Sequence, residues 1–288
     1  MKSAIYICTH GRPGNQITHK KLREAGYTGD IILVIDNEDE HGQGYLEFVK
    51  YDDRTWLHVF DKQKIIDSTN TTNCPPNRKT ILYAKNACEM FAKEDGVDCF
   101  AICDDDIPGF RYRYVEDGSC KSLTITQNMD KVIQSYMEYL LDSDISATSF
   151  GMAQFYFTGE NCFSPETMLK WRVPYTFVFR NAKHKVNWVS DYGEDITTAI
   201  ECANQGKFMM ASPFVQMNLS PMGVGEGGMV ELHKDTFRLA EYGHVWHPTS
   251  EQIKYYKDHW MSTIKRECAF PMLLSSKYKC CNRQKHVI

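Results

Sequence analysis

Long apolar runs are missing from this chain of 288 residues, which nowhere holds the roughly 18 consecutive apolar residues of a membrane-spanning helix. The apolar stretch Ala4–Cys8 follows Met1-Lys2, meets Thr9-His10-Gly11-Arg12 at once, and is too short for the core of a secretory signal. No membrane partner is expected, and the expected compartment is the cytoplasm. A strong charge of one sign is missing too. With 33 Lys and Arg against 37 Asp and Glu, the formal net charge is -4. That removes a global electrostatic case for nucleic acid but leaves room for a local basic face. Repeats and low-complexity linkers are absent, so no boundary between separate domains stands out.

Other absences narrow the chemistry. The loop after the first apolar run reads T-H-G-R-P-G-N and lacks G-x-G-x-x-G, and no G-x-x-x-x-G-K-[ST] occurs anywhere. Dinucleotide-dependent hydride transfer and phosphate-loop nucleotide hydrolysis therefore have little support. Gly243-His244-Val245-Trp246-His247 is H-x-x-H and not H-E-x-x-H, which disfavours a zinc peptidase. Cysteine is plentiful at 11, yet the chain is long enough to bury a core without disulfides. Cys8, Cys99 and Cys103 lie in strand-like runs where a thiol serves as a small hydrophobe, as suits a reducing compartment. Cys268, Cys280, Cys281 and His286 follow no strong zinc spacing.

The most informative segment present is C-F-A-I-C-D-D-D-I-P, residues 99–108. A dense apolar run reads as a buried strand, and Pro108 ends the regular backbone. Asp104, Asp105 and Asp106 then stand together at the strand exit, where their mutual repulsion calls for a cation. A divalent metal holding a pyrophosphate is the simplest one; a solvated acidic turn is the plain competing reading.

Around that segment the pattern is β-α-β. Ala4–Cys8 and Ile31–Ile35 read as strands, 16–25 as a helix, Leu57–Phe60 as another strand, and 61–78 as a polar loop. Residues 79–94 place Ile81, Leu82, Ala84, Ala87, Cys88 and Phe91 on one helical face. Further on, 128–141 and 194–203 read as helices, and 145–150, 154–157 and 176–179 as strands. A glycine-rich loop is expected at 221–229 and a terminal helix at 250–267. The expected fold class is α/β, a single domain with a mixed, mostly parallel sheet flanked by helices and a C-terminal extension. Residues 1–249 would form the catalytic domain. The extension 250–288 is either appended to that domain or part of it.

In a parallel sheet ligands bind beyond the carboxyl ends of the strands. Thr9–Asn15, Asp36-Asn37 and Asp104–Asp106 all fall at such ends, so the topology should gather them on one rim. Thr9 and Arg12 can donate to a base or phosphate, and Asp36 can accept from a base or ribose, although Arg12 is equally a surface charge and Asp36 a turn cap. Arg78 and Lys79 precede the third helix, within reach of a diphosphate. A second acidic cluster, W-V-S-D-Y-G-E-D-I, carries Asp191, Glu194 and Asp195 as candidate general bases, or as ordinary helix caps. His244 or His247 can complete a metal shell. Residues 254–288 hold eight Lys or Arg against two acidic residues, interleaved with Tyr255, Tyr256, Trp260 and Tyr278. That composition suits a nucleic-acid backbone and equally a solvated tail.

The opening strand with T-H-G-R, the I-I-L-V-I-D-N run, the helix with Asn86 and Ala87, the aspartates after F-A-I-C and the later G-E-D resemble nucleotide-sugar glycosyltransferases of the GT-A fold, over about residues 4–205. The resemblance implies that Asp104 and Asp106 form a D-x-D element holding Mn²⁺ or Mg²⁺ against a UDP-sugar, with Asp105 beside them at the donor. It implies that Asp36 contacts the nucleoside. Asp195 would be the base, ahead of Asp191, and His244 or His247 would complete the metal shell. More narrowly, T-H-G-R-P-G-N-Q-I-T and D-D-D-I are similar to phage-encoded enzymes that glycosylate hydroxymethylated pyrimidines in DNA. The acceptor implied is 5-hydroxymethylcytosine in DNA, and the place implied is the cytoplasm of an infected host. A glycan, lipid or protein acceptor, a nucleotidyltransferase and a non-enzymatic binding module stay open as alternatives.

Overall fold

The computed structural model describes residues 1–69, 78, 80–143, 145–153, 156, 163, 177–188, 194, 198, 202 and 205–219, and the backbone of two short strands beyond them. Three dense apolar runs become adjacent strands. β1 (Ser3–Cys8), β2 (Ile31–Asp36) and β4 (Cys99–Asp104) are buried along almost their whole length. Burial on both faces is what continuous apolar strands require, and it calls for helices above and below. One face is covered by α1 (Ile17–Glu24), α2 (Gly42–Val49) and α5 (Met129–Leu141), the other by α3 (Lys62–Ser68) and α4 (Leu82–Glu94). Alternation along β1 follows this division: Ile5 and Ile7 enter the first core, Ala4, Tyr6 and Cys8 the second.

The remaining strands are β3 (Thr55–Phe60), β5 (Phe110–Glu116), β6 (Ser119–Thr124), β7 (Ile145–Gly151), β8 (Phe177–Asn181) and β9 (Phe208–Met217). With β1, β2 and β4 they form one sheet in the order β3-β2-β1-β4-β8-β7-β9-β5-β6. The pairs among β3, β2, β1 and β4 are parallel; beyond β4 only β7 and β9 run parallel, and the other neighbours are antiparallel. A mixed sheet flanked by helices is the arrangement that the GT-A resemblance implies. Met272–Leu274 (β10) and Gln284–His286 (β11) pair antiparallel as a separate ribbon.

Register places the site. Cys8 lies opposite Val34 on one side and opposite Asp104 on the other, so the exits of β2, β1 and β4 stand side by side. Several local expectations need correction. The stretch 61–78 is not all loop: Lys62–Ser68 is a helix whose Asp61 cap accepts from the Lys64 amide at 3.1 Å. α2, β5, β6 and β9 are additional elements. Of the strand expected at 154–157 only Tyr156 is described, and it is not in a strand. The loop at 221–229 and the helix at 250–267 lie outside the described residues, as does most of 194–203. No helix among the described residues is long and apolar enough to cross a membrane.

Candidate active site

The rim expected at the strand exits exists, and its side chains are tightly interlocked. At the β1 exit, Thr9 Oγ1 donates to Asp105 Oδ2 at 2.6 Å and lies 3.1 Å from the Tyr45 hydroxyl. Gln16 Nε2 donates to Thr9 Oγ1 and to the Arg12 carbonyl, both at 2.9 Å. Arg12 Nη2 pairs with Asp105 Oδ1 at 2.8 Å, a contact made by charge rather than by a well-aligned hydrogen bond. The main chain is locked as well: Thr18 Oγ1 donates to the Asp104 carbonyl at 2.6 Å and accepts from the Ile107 amide at 2.9 Å. Gly11 to Asn15 line an open depression of about 370 Å³, with none of the three aspartates in its wall.

At the β2 exit Asp36 is buried. Its Oδ2 lies 3.0 Å from His10 Nδ1, its Oδ1 lies 3.1 Å from Lys62 Nζ, and Oδ1 also accepts from the Glu38 amide at 3.0 Å. Burial pushes the Asp36 carboxyl up, but the His10 hydrogen bond and the Lys62 charge outweigh it and hold the group below its ordinary value. His10, bonded to Asp36, is raised in turn. Arg78 reaches Glu38 and donates to Gln63 Oε1 at 2.7 Å, so it serves the α3 end of the rim.

Asp104 and Asp105 differ. Asp105 is committed to Thr9 and Arg12, and burial against their opposition leaves its carboxyl pushed up to about 6. Asp104 is different: its buried Oδ1 has no hydrogen-bond partner, and burial drives its carboxyl well above the ordinary range against the pull of Lys85. An orphaned buried carboxylate oxygen is an anomaly that a bound cation removes. Mn²⁺ and Mg²⁺ take oxygen donors of this type, so Asp104 fits the metal that the resemblance implies. Among the described residues no three His, Cys, Asp or Glu side chains are already gathered to hold an ion. Mg²⁺ is commonly held through one or two carboxylates together with water and phosphate oxygens, which suits what the described residues offer.

The second acidic cluster reaches the same neighbourhood through Glu194. Lys85 on α4 is fully buried, donates from Nζ to Glu194 Oε1 at 2.8 Å and sits 4.8 Å from the Trp188 ring centroid. Burial works against its charge, but Glu194 and Asp104 prevail and hold it above its ordinary value. Glu194 therefore spends an oxygen on an internal cation. Lys79, Asp191, Asp195, His244 and His247 lie outside the described residues.

Sequence reasoning missed His10, Lys62, Tyr45 and Lys85. The signal for Lys85 was a cation three residues after Leu82 and three before Cys88, on the stripe that faces the sheet.

A family profile described as TET-Associated Glycosyltransferase matches residues 3–220. The chain belongs to this family. The match spans the rim, the Asp104–Asp106 exit and Glu194, so the candidate site lies within the part that the family profile covers. A comparison with curated proteins finds no match. Among solved structures the chain is similar to S. aureus TarS in complex with UDP, at 11% identity and a TM-score of 0.43, over 77% of this chain and 61% of that one. It is also similar to glucosyl-3-phosphoglycerate synthase from Mycobacterium tuberculosis in complex with Mn²⁺, UDP-glucose and phosphoglyceric acid. There identity is 8% and the TM-score 0.43, over 77% and 73% of the two chains. The chain spans about three fifths of the TarS structure, 60% in the ligand-free form. The assignment rests on the family match.

Proposed function

We propose that this glycosyltransferase moves a sugar from a UDP-linked donor to the hydroxyl of 5-hydroxymethylcytosine in DNA, with Mn²⁺ or Mg²⁺ at Asp104 and Asp106. The observation that carries the reading is the partnerless, buried Oδ1 of Asp104 at the shared exit of β1, β2 and β4, in a chain of a glycosyltransferase family. The metal would neutralise charge developing on the leaving diphosphate. Arg12 holds Asp105 and so shapes the loop between β1 and the donor. Asp36 keeps His10, and His10 is half exposed, so the outward face of this pair is the imidazole. Contact with a nucleoside is then made by His10 with Asp36 behind it, and Arg78, with Lys79 next to it in sequence, would serve the diphosphate.

Asp195, or else Asp191, takes the proton from the acceptor hydroxyl, and His244 or His247 adds a metal ligand. Residues 1–249 form the catalytic domain, and the basic, aromatic stretch 250–288 meets the DNA, where displacing a base costs a few kcal/mol that stacking and cationic contacts offset. The place of action is the host cytoplasm during phage infection. The family name supports the DNA acceptor through its reference to TET, whereas a glycan, lipid or protein acceptor has no observation in its favour.

The test is to incubate the protein with a panel of nucleotide sugars, Mn²⁺ and hydroxymethylated duplex, then digest the DNA and weigh its nucleosides. A hexose-sized mass gain on hydroxymethylcytosine from a UDP-sugar, abolished by EDTA, is expected. Full transfer in EDTA removes the metal role, and transfer to no DNA removes the acceptor. Asp195→Asn should leave UDP binding unchanged and slow turnover by about two to four decades, the usual cost of a lost general base. Normal turnover by that variant places the base elsewhere.

A further inference from the structure

At its antiparallel end the sheet has a side that neither hydrophobic core takes up. Phe110 on β5 and Val215 and Met217 on β9 belong to the first core, and Tyr112 packs against it. Side chains alternate along a strand, so Arg111 and Arg113 leave β5 on the opposite side. Cross-strand neighbours share that side: Gln216 on β9 and Thr124 on β6 flank Arg111, and Ser122 on β6 lies opposite Arg113. No residue of β5 or β6 enters the second core, where α3 and α4 pack.

The two arginines are held in place but not neutralised. Arg113 donates from Nε to Gln216 Oε1 at 2.6 Å and from Nη2 to the same oxygen. Its guanidinium lies over the Tyr156 ring, 4.1 Å from the centroid, and the Tyr156 hydroxyl donates to the Pro213 carbonyl at 2.8 Å. Arg111 keeps a buried Nε with no hydrogen-bond partner. Among the described residues no carboxylate pairs with either guanidinium. Arg12, Arg23, Arg54, Arg78 and Arg180 each meet an Asp or Glu. A half-buried arginine pair without counter-charge is the complement of an anion. Phe214, two residues before Gln216 on β9, is 54% exposed, and its ring lies 5.7 Å from that of Phe163.

The layout selects the kind of anion. Alternate residues of a strand stand about 6.8 Å apart, so the two charges lie in a line along β5 and do not converge on a point. A single diphosphate needs converging donors. A nucleic-acid backbone instead repeats its charge along each strand, and its bases stack on aromatic rings. Position agrees with this. Arg111 follows Asp106 by five residues, and an extended chain spans at most about 3.6 Å per residue, which keeps Arg111 within roughly 18 Å of that exit. The hairpin's own carboxylates, Glu116 and Asp117, stand at its far end.

We propose that this side of β5, β6 and β9 is a DNA-docking surface, on which Arg111 and Arg113 bind backbone phosphates of the acceptor duplex beside the rings of Phe163 and Phe214. Tyr156 and Gln216 hold Arg113 in position for that contact. The inference rests on the reading of hydroxymethylated DNA as the acceptor.

The experiment compares wild type with Arg111→Gln, Arg113→Gln and the double variant. Arg54→Gln, which removes an exposed arginine next to β3 at the other edge of the sheet, serves as the control. Each protein is measured for its unfolding midpoint, its affinity for a short hydroxymethylated duplex across a range of salt, UDP binding with Mn²⁺, and kcat and KM for DNA and donor. Each lost phosphate contact lowers the salt slope by about 0.9, so the double variant should be shallower by about 1.8 and bind DNA about 60-fold more weakly at about 0.1 M salt. Its KM for DNA should rise in parallel, while UDP affinity, donor KM and kcat hold. Arg54→Gln should match wild type. A folded double variant with wild-type DNA affinity and slope overturns the proposal, as does a loss that falls on UDP instead, or an equal loss in Arg54→Gln. If the double variant does not fold, Arg111→Gln decides, since its Nε has no partner to lose: a slope reduced by about 0.9 supports docking, and an unchanged slope overturns it. The acceptor reading fails separately. If wild type binds the duplex through these arginines yet transfers no sugar to it, docking stands and the acceptor is wrong. If transfer occurs and the double variant binds and reacts as wild type does, the acceptor stands and this surface is not where DNA docks.

Discussion

The exits of β2 and β4 flank the same strand, β1, and both are acidic, yet only one is closed. At the β2 exit Asp36 meets Lys62, His10 and a backbone amide, and Asp39 takes the Gly11 amide at 2.7 Å and the His41 amide at 2.9 Å. The chain supplies its own counter-charges there. At the β4 exit Asp105 is held by the Thr9 hydrogen bond and by the charge of Arg12 beside its Oδ1, whereas Asp104 keeps a buried Oδ1 with no hydrogen-bond partner and no ion pair to it among the described residues. The first arrangement stabilises the fold as it stands. In the second the fold tolerates an unfavourable group, which is how a site that awaits a ligand differs from a structural node.

The widest separation between the two exits should come from one substitution at each. Asp104→Asn keeps the shape and removes a charge that burial disfavours, so the unfolding midpoint should hold or rise. Sugar transfer should fall by more than the roughly 10–100-fold that loss of a ligand-orienting group costs. Thermal unfolding and transfer measured on the same sample check both halves. Retained transfer would make the β4 exit a node like the other.

Asp36→Asn should behave in the opposite way. It strands Lys62, whose side chain is only 9% exposed, and breaking a buried pair by removing one partner costs about 3–5 kcal/mol. Glu38, 3.5 Å from the same ammonium, should keep the loss near the lower end. Denaturant unfolding measures it. An unchanged midpoint would mean that the β2 exit does not depend on its own counter-charges, and the contrast with Asp104 would vanish.

The two halves of the sheet were unequally legible. β1, β2 and β4 announce themselves as apolar runs because both of their faces are buried, and the parallel topology then places their exits together without any knowledge of side-chain contacts. The antiparallel half is weaker in hydrophobic pattern. Phe110–Glu116 alternates arginine and tyrosine, and Ser119–Thr124 is mostly polar, so neither reads as a core strand. The usable signal was the turn: Asp117-Gly118, both at positive φ, is the residue pair a tight hairpin demands. α3 hid for a related reason, since K-Q-K-I-I-D-S is too short and polar for periodicity to show. Site residues were legible as types but not as partners. Thr9, Arg12 and Asp105 stood out as candidate ligand contacts, and what they contact in the structure is one another. Which carboxylate is left over depends on side-chain geometry that spacing does not encode.

The smallest expected effect refines the closed exit. His10 gains its higher proton affinity mainly from the hydrogen bond to Asp36, with burial opposing and the charges of Asp36 and Asp39 assisting. A histidine whose folded value is raised binds its proton more tightly in the native state. Its contribution to stability is therefore complete below the unfolded value, about 6.5, and is lost as pH rises through the folded value. Because the side chain is 46% exposed, solvent screening should hold the contribution below about 1 kcal/mol. Wild type should accordingly exceed His10→Asn in stability at pH 5.5, and the two denaturation midpoints should converge at pH 8.5, where Asp36 is served by Lys62 alone among the charged groups that touch it in the structure. A constant offset between the two proteins across that range would show that His10 acts by packing, and that Lys62 by itself closes the β2 exit.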